Sequence, residues 1–361
     1  MTEEPDRLGR APLVPLPAQP DDVPWPHDHW PEGDLPGGLS RRVDALVDGL
    51  FGDTAAHGAT YALLLVHRGL LVREVYRGAL THRDGSVEPV TEHTRLRSWS
   101  VAKSILHALV GTLVGEGRLS LHDRAPIDEW AGRDDPRRAI TLEHLLTMRD
   151  GLRWSEVYDA SNPSDVVEML FGSARGDVAA YAIDRPLAHE PGTCFNYSSG
   201  TSNVVSAVVR RTVEPAETYA AFARRVLDAM GLRGARPVFD AAGTFVASSY
   251  VFATARDFAR LGLLYLRDGI RDGQRVLPVG WVDHARRIRS RDPTEDRYYG
   301  AHWWATPDDH GTFWASGYAG QSVLVSPGLD LVAVRLGESE QSQLHALARW
   351  RAALVDAFAA G

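Results

Sequence analysis

The sequence predicts an α/β (α+β) fold: one antiparallel sheet interrupted by a long helical stretch and covered by terminal helices. Three observations carry that expectation. Strand-like runs occur near both ends of the chain, at 61–66 and 70–76 and again at 312–317, 321–326 and 331–336. Residues 98–265 between them show mostly helical periodicity, and the last eighteen or so residues repeat apolar side chains at helical spacing.

Taken in order, residues 1–38 form a Pro/Asp-rich lead-in expected to lie over the surface, and 39–361 form the folded domain. Within that domain the sheet is drawn from 39–97 and 266–361, and the helical part from 98–265. Leu39 to Phe51 reads as a helix with Ser40 as N-cap and Val43, Leu46, Val47 and Leu50 on one face. The runs Tyr61–Val66 and Leu70–Tyr76 flank His67-Arg68-Gly69, a hairpin signal. From Val101 to Val114 a broad apolar stripe marks a central buried helix. Gly300–Ala305, Thr312–Gly317, Gln321–Ser326 and Leu331–Leu336 are short and apolar or aromatic, the last two joined by Pro327-Gly328. Gln341–Phe358 closes the chain as a helix with Leu344, Leu347, Trp350, Leu354 and Phe358 inward.

Composition removes several function classes. A net charge of −8 in 361 residues gives no basic face for nucleic acid. No apolar run approaches the roughly 18 residues of a membrane span, and the first thirty residues hold no apolar core of a signal peptide, so a cytoplasmic protein is expected. The one cysteine, Cys194, calls for no disulfide and reads as inert packing. His27-Asp28-His29 lies in the lead-in and reads as solvated chain, so no metal and no cofactor are expected. The partner is a small molecule, and the oligomeric state is left open with a homodimer allowed.

One count is unusual. Of 39 basic residues a single one, Lys103, is lysine, leaving 38 arginines. Arginine supplies charge and hydrogen bonds as well as lysine does but cannot accept a proton near neutral pH. Lys103 follows Ser100 by three positions at the start of the buried helix, so both side chains share a face. Acyl transfer through serine needs its proton removed, and an amine whose pKa is lowered by burial and the helix dipole is a suitable base. Tyr197, in Tyr197-Ser198-Ser199 before an apolar helix from Val204, offers a phenol to relay protons. Ala315-Ser316-Gly317, on a strand just before Tyr318, lets a substrate approach the strand edge, where backbone N–H groups stabilise an oxyanion. Trp303, Trp304 and Trp314 are candidates for core or for pocket lining. No G-x-S-x-G elbow and no H-E-x-x-H occurs.

The order Ser100-x-x-Lys103, Tyr197-x-Ser199, then Ser316-Gly317 on a late strand resembles the serine β-lactamase and penicillin-binding-protein superfamily. More narrowly it resembles class C-type hydrolases such as the 6-aminohexanoate-dimer (nylon-oligomer) hydrolases and related esterases. The likeness extends over about 40–358 and includes Gly117-Arg118-Leu119, the stretch Ile140 to Met148, Gly151-Leu152 and Ser316 to Gln321. It implies a β-lactamase/transpeptidase-like fold with Ser100 as nucleophile, Lys103 as its base and Tyr197 as proton relay. It also implies an oxyanion hole from the N–H groups of Ser100 and Tyr318, and substrate contacts from Tyr158, Ser199, Ser316 and Gly317.

Two departures bear on substrate. Ser199 stands where β-lactamases carry asparagine, and Ala315-Ser316-Gly317 replaces Lys-Thr-Gly, removing the cation that holds a β-lactam carboxylate. The expected activity is hydrolysis of a small linear amide or ester through an acyl-enzyme. The alternatives are a D-alanyl peptidase or β-lactamase-like activity, acyl transfer, and a non-catalytic ligand-binding relative.

Overall fold

The computed structural model describes residues 3–82, 84–158, 164–214 and 216–361. Helix α1 (Gly37–Gly52) leads into strands β1 (Ala59–His67) and β2 (Leu70–Tyr76). A short strand β3 (Leu96–Arg97) precedes helix α2 (Val101–Gly115), and the helical layer continues to helix α3 (Ser199–Val213). Strand β4 (Val251–Ala253) and helix α4 (Ala255–Leu266) return the chain to the sheet. The sheet is completed by β5 (Ser290–Asp292), β6 (Arg297–Tyr299), β7 (Trp304–Ala305), β8 (Phe313–Gly317), β9 (Gln321–Ser326) and β10 (Leu331–Glu338), before helix α5 (Leu344–Ala359).

All eight large-sheet strands pair antiparallel in the order β5-β6-β7-β8-β9-β10-β1-β2. The last strand therefore pairs with the first, and the helical stretch is an insertion into one sheet. Arg68 and Gly69, both at positive φ, make the tight β1–β2 turn whose twist suits a hairpin.

The apolar runs of β1 and β10 reflect burial on both sides. Ala62, Leu64 and Val66 of β1 join Val332, Val334 and Leu336 of β10 in the core shared with α2, α3 and α4. The alternate residues Leu63, Leu65, Leu331 and Ala333 face α1 and α5 instead. Helix α2 is enclosed on nearly all sides, and Leu106→Ala in it would cost roughly 2–5 kcal/mol as a cavity. Its buried His107 is satisfied by the Tyr265 hydroxyl (2.9 Å) and by His284 (3.1 Å), so burying its ring leaves no polar atom unpaired.

Four local expectations need correction. Helix α1 starts two residues early behind Pro36, and Ser40 sits inside it, donating to Asp44 and receiving Arg73. Of Gly300–Ala305 only Trp304–Ala305 is strand, because His302 takes positive φ and Gly300 N–H closes a turn on the Trp303 carbonyl. Helix α3 begins at Ser199, well before Val204, because the Ser198 side chain caps it through Thr201 N–H. A short helix, Glu3–Arg10, lies within the lead-in.

Candidate active site

A three-stranded mini-sheet sets up the segment before α2. Arg97 of β3 pairs with Phe252 of β4, and Ser98 exchanges hydrogen bonds with Val251, its N–H donating to the carbonyl and its hydroxyl receiving the N–H. The next residue, Trp99, takes φ +44°, a left-handed conformation unusual for a bulky side chain. That turn swings the chain from strand to helix and leaves Ser100 at the head of α2, partly exposed.

Lys103, one turn on, is 2% exposed. Its Nζ donates to Ser100 Oγ (3.0 Å), Ser199 Oγ (3.1 Å) and the Ser248 carbonyl (3.0 Å), which uses all three ammonium donors. Burial pulls its pKa down from 10.5 to about 8, and the Glu156 carboxylate acts in the opposite direction. An amine in that range is partly neutral near physiological pH and points straight at a serine hydroxyl.

Tyr197 completes the group. Its ring lies 4.9 Å from Lys103 Nζ, and its hydroxyl is near enough to the Ser100 side chain to act on it. Burial, then the Glu156 charge, raises the phenol pKa, so it stays protonated as a donor. Trp304 packs against the Tyr197 ring at 5.3 Å and is in turn covered by the Arg297 guanidinium at 4.4 Å. Trp303, in the bend before β7, and Trp314, in β8, are both buried.

The opposite wall is the end of β8. A Cβ on Gly317 would come within 2.5 Å of the Ser98 carbonyl, so only glycine lets the strand lie this close to the segment bearing Ser100. Beyond it, Tyr318–Gly320 form a tight turn with Ala319 at φ +59°. Arg335 donates to the carbonyls of Ala319 (3.0 Å) and Gly320 (3.2 Å), and Gln321 Nε2 donates to that of Tyr318 (3.0 Å). Held this way, the N–H of Tyr318 has no backbone acceptor among the described residues, and neither has that of Ser100.

Ser100, Lys103, Tyr197 and Ser199 thus come together, with Ser316, Gly317 and Tyr318 alongside. Ser199 is fully buried; its hydroxyl donates to Glu156 Oε1 (2.5 Å) and receives Lys103. Tyr158 lies beside Tyr318, ring centroids 4.9 Å apart. Cys194 sits apart, its thiol directed at the Phe195 carbonyl.

Sequence reading missed Glu156. Its carboxylate accepts from Ser199 Oγ, Ser199 N–H (2.9 Å) and Trp154 Nε1 (2.6 Å). The signal was the spacing Trp154-x-Glu156, whose side chains meet through the indole N–H. The Ser248 carbonyl has no side-chain signature at all. Among the described residues no group of His, Cys, Asp and Glu side chains has the arrangement of a metal site.

The chain is similar to several known proteins. Residues 43–357 match the family model described as beta-lactamase. The 6-aminohexanoate-dimer hydrolase of Paenarthrobacter ureafaciens is 28% identical over 322 residues, covering 82% of this chain and 77% of that one. The solved structure of EstCE1, a hydrolase with promiscuous acyltransferase activity, superposes with a TM-score of 0.68 at 18% identity, over 89% of this chain and 98% of that one. A penicillin-binding-protein homologue from Caulobacter crescentus gives 0.67 at 19%, over 90% and 99%.

Proposed function

Because the chain belongs to the β-lactamase family and is a serine hydrolase, we propose that it cleaves small linear amides or esters through a covalent acyl-enzyme on Ser100. The observation that carries this reading is the contact between Ser100 Oγ and Lys103 Nζ, 3.0 Å apart, with the lysine pKa pulled down to about 8.

In the neutral form Lys103 takes the Ser100 proton as Oγ attacks the substrate carbonyl. The new oxyanion sits against the N–H groups of Ser100 and Tyr318. Tyr197 gives its proton to the departing amine or alkoxide and regains one from Lys103, leaving an ester on Ser100 and both groups reset. Water then repeats the sequence, losing a proton to the Tyr197–Lys103 pair while the Ser100 hydroxyl is restored. Glu156 offsets the positive charge that appears on Lys103, acting through the Ser199 hydroxyl between them.

The substrate class follows from Ala315, buried in β8 where Lys-Thr-Gly relatives place a cation. The similarity to the 6-aminohexanoate-dimer hydrolase also supports linear amides. Intact-mass spectrometry after incubation with nitrophenyl esters, short linear amides and a cephalosporin tests the reading. An acyl adduct on the native chain that is lost in Ser100→Ala is expected; no adduct with any ester or amide, nor with a fluorophosphonate, would sink it.

A further inference from the structure

The entrance to the site is aromatic and carries an unclaimed positive charge. Trp99, Tyr318 and Tyr158 stand in a row beside Ser100, with centroids 5.0 Å and 4.9 Å apart. Tyr250 flanks Trp99 at 6.3 Å, so four rings line one side of the entrance. Tyr318 is 47% exposed, far more than a packing residue needs. Neither proton transfer nor oxyanion binding uses these rings.

A cation stands beside these rings. Arg97 ends β3, Ser98 is buried, and the left-handed turn at Trp99 leaves its ring beside the Arg97 guanidinium. The Arg97 guanidinium lies 4.8 Å from the Trp99 ring, 5.5 Å from Phe252 and 5.6 Å from Tyr250. Among the described residues it makes no ion pair and no hydrogen bond. Its contacts are with ring faces, so its N–H groups are available to receive a carboxylate through two parallel hydrogen bonds.

We propose that Arg97 and the rings of Trp99, Tyr250, Tyr318 and Tyr158 form a subsite for an apolar or aryl group ending in a carboxylate. This deepens, and rests on, the reading of Ser100 as nucleophile: the substrate is an amide or ester whose acyl or leaving portion bears that carboxylate. A cationic group is disfavoured, because the Trp99 and Tyr250 faces already hold the Arg97 guanidinium.

Binding tests this apart from turnover. In the Ser100→Ala variant, calorimetry with phenylbutanoate, phenylbutanamide and phenylpropyl-trimethylammonium compares three end groups on one apolar body. The carboxylate is expected to bind about tenfold more tightly than the amide, and added Arg97→Gln to reduce that preference to within about twofold. Arg97→Lys, which keeps the charge but not the fork, should fall between. Thermal unfolding shows whether each variant is folded, and Trp99→Gly gives a second route, since glycine accepts the +44° φ while removing the platform. Equal affinity for carboxylate and amide, tighter binding of the ammonium compound, a preference that survives Arg97→Gln, or no carboxylate binding at millimolar concentration would each overturn the subsite. Fluorophosphonate capture on the native chain decides the nucleophile separately.

Discussion

The two sides of Ser100 are built on opposite principles. Inward, Lys103 is 2% exposed and every donor on it is taken, as are the Ser199 hydroxyl and both Glu156 oxygens. Outward, Tyr318 is 47% exposed, Arg97 has no partner among the described residues, and the two turns, at Trp99 and Ala319, have left-handed backbone. The interior is a closed set of hydrogen bonds in which one altered atom leaves another unsatisfied, whereas the mouth is a set of unsatisfied surfaces. Bond-breaking capacity and substrate choice are thereby lodged in different residues, and substitutions on the two sides should differ in kind as well as size.

The largest effect is expected from Lys103→Arg. Guanidinium keeps the charge and cannot take the Ser100 proton, so the acylation burst should fall by about 10³ or more, and Lys103→Ala, which removes crowding, should fall as far. Near-native burst kinetics in Lys103→Arg, with folding checked by circular dichroism, would erase the distinction drawn for the interior.

Next comes Tyr197→Phe, which removes one oxygen from a packed ring. Amide hydrolysis should drop by about 10² and turnover of activated nitrophenyl esters by less, since a good leaving group needs no proton. Equal losses on both substrates would show that the phenol is not protonating the leaving group.

Glu156→Gln sharpens the comparison through pH. Acylation needs neutral Lys103, so its rate should rise with pH to a plateau above about 8. The Glu156 charge raises that pKa, so removing it makes the lysine neutral at lower pH and moves the midpoint downward. A pH–rate profile of burst acylation reads this directly, and an unmoved or upward-shifted midpoint would mean that Glu156 only packs Ser199.

The smallest change in rate constant belongs to the mouth. Tyr318→Ala removes an exposed ring and keeps the backbone N–H, so kcat on a short neutral ester should change by less than about threefold while KM for an aryl substrate rises. A kcat loss comparable to that of Tyr197→Phe would place Tyr318 with the interior.

The same division governs how much the sequence disclosed. Lys103 was legible because it is the sole lysine and because Ser100 lies one helical turn away, a relation fixed by local geometry. Strands β9 and β10 were legible because burial on both faces writes a continuous apolar run. Strands β5 and β6, three residues each and rich in charge, carry no such run and exist through pairing with each other and with β7. Glu156 reaches Ser199 across 43 residues, so its role is a tertiary fact. The resemblance implies a substrate contact for Ser199, whereas its hydroxyl turns inward to Lys103 and Glu156, a direction that sequence does not encode. Arg97 looked like one arginine among 38 until its strand partners brought three rings beneath it.

A chain with one lysine has one side-chain ammonium nitrogen. Biosynthetic labelling with lysine carrying ¹⁵N at the ε position therefore gives a single resonance that needs no assignment and belongs to the group on which acylation turns. Its chemical shift, followed against pH, reports the protonation state of that one atom without substrate and without inference from rates. The arginine-rich composition makes this protein a spectroscopically silent background for its own general base.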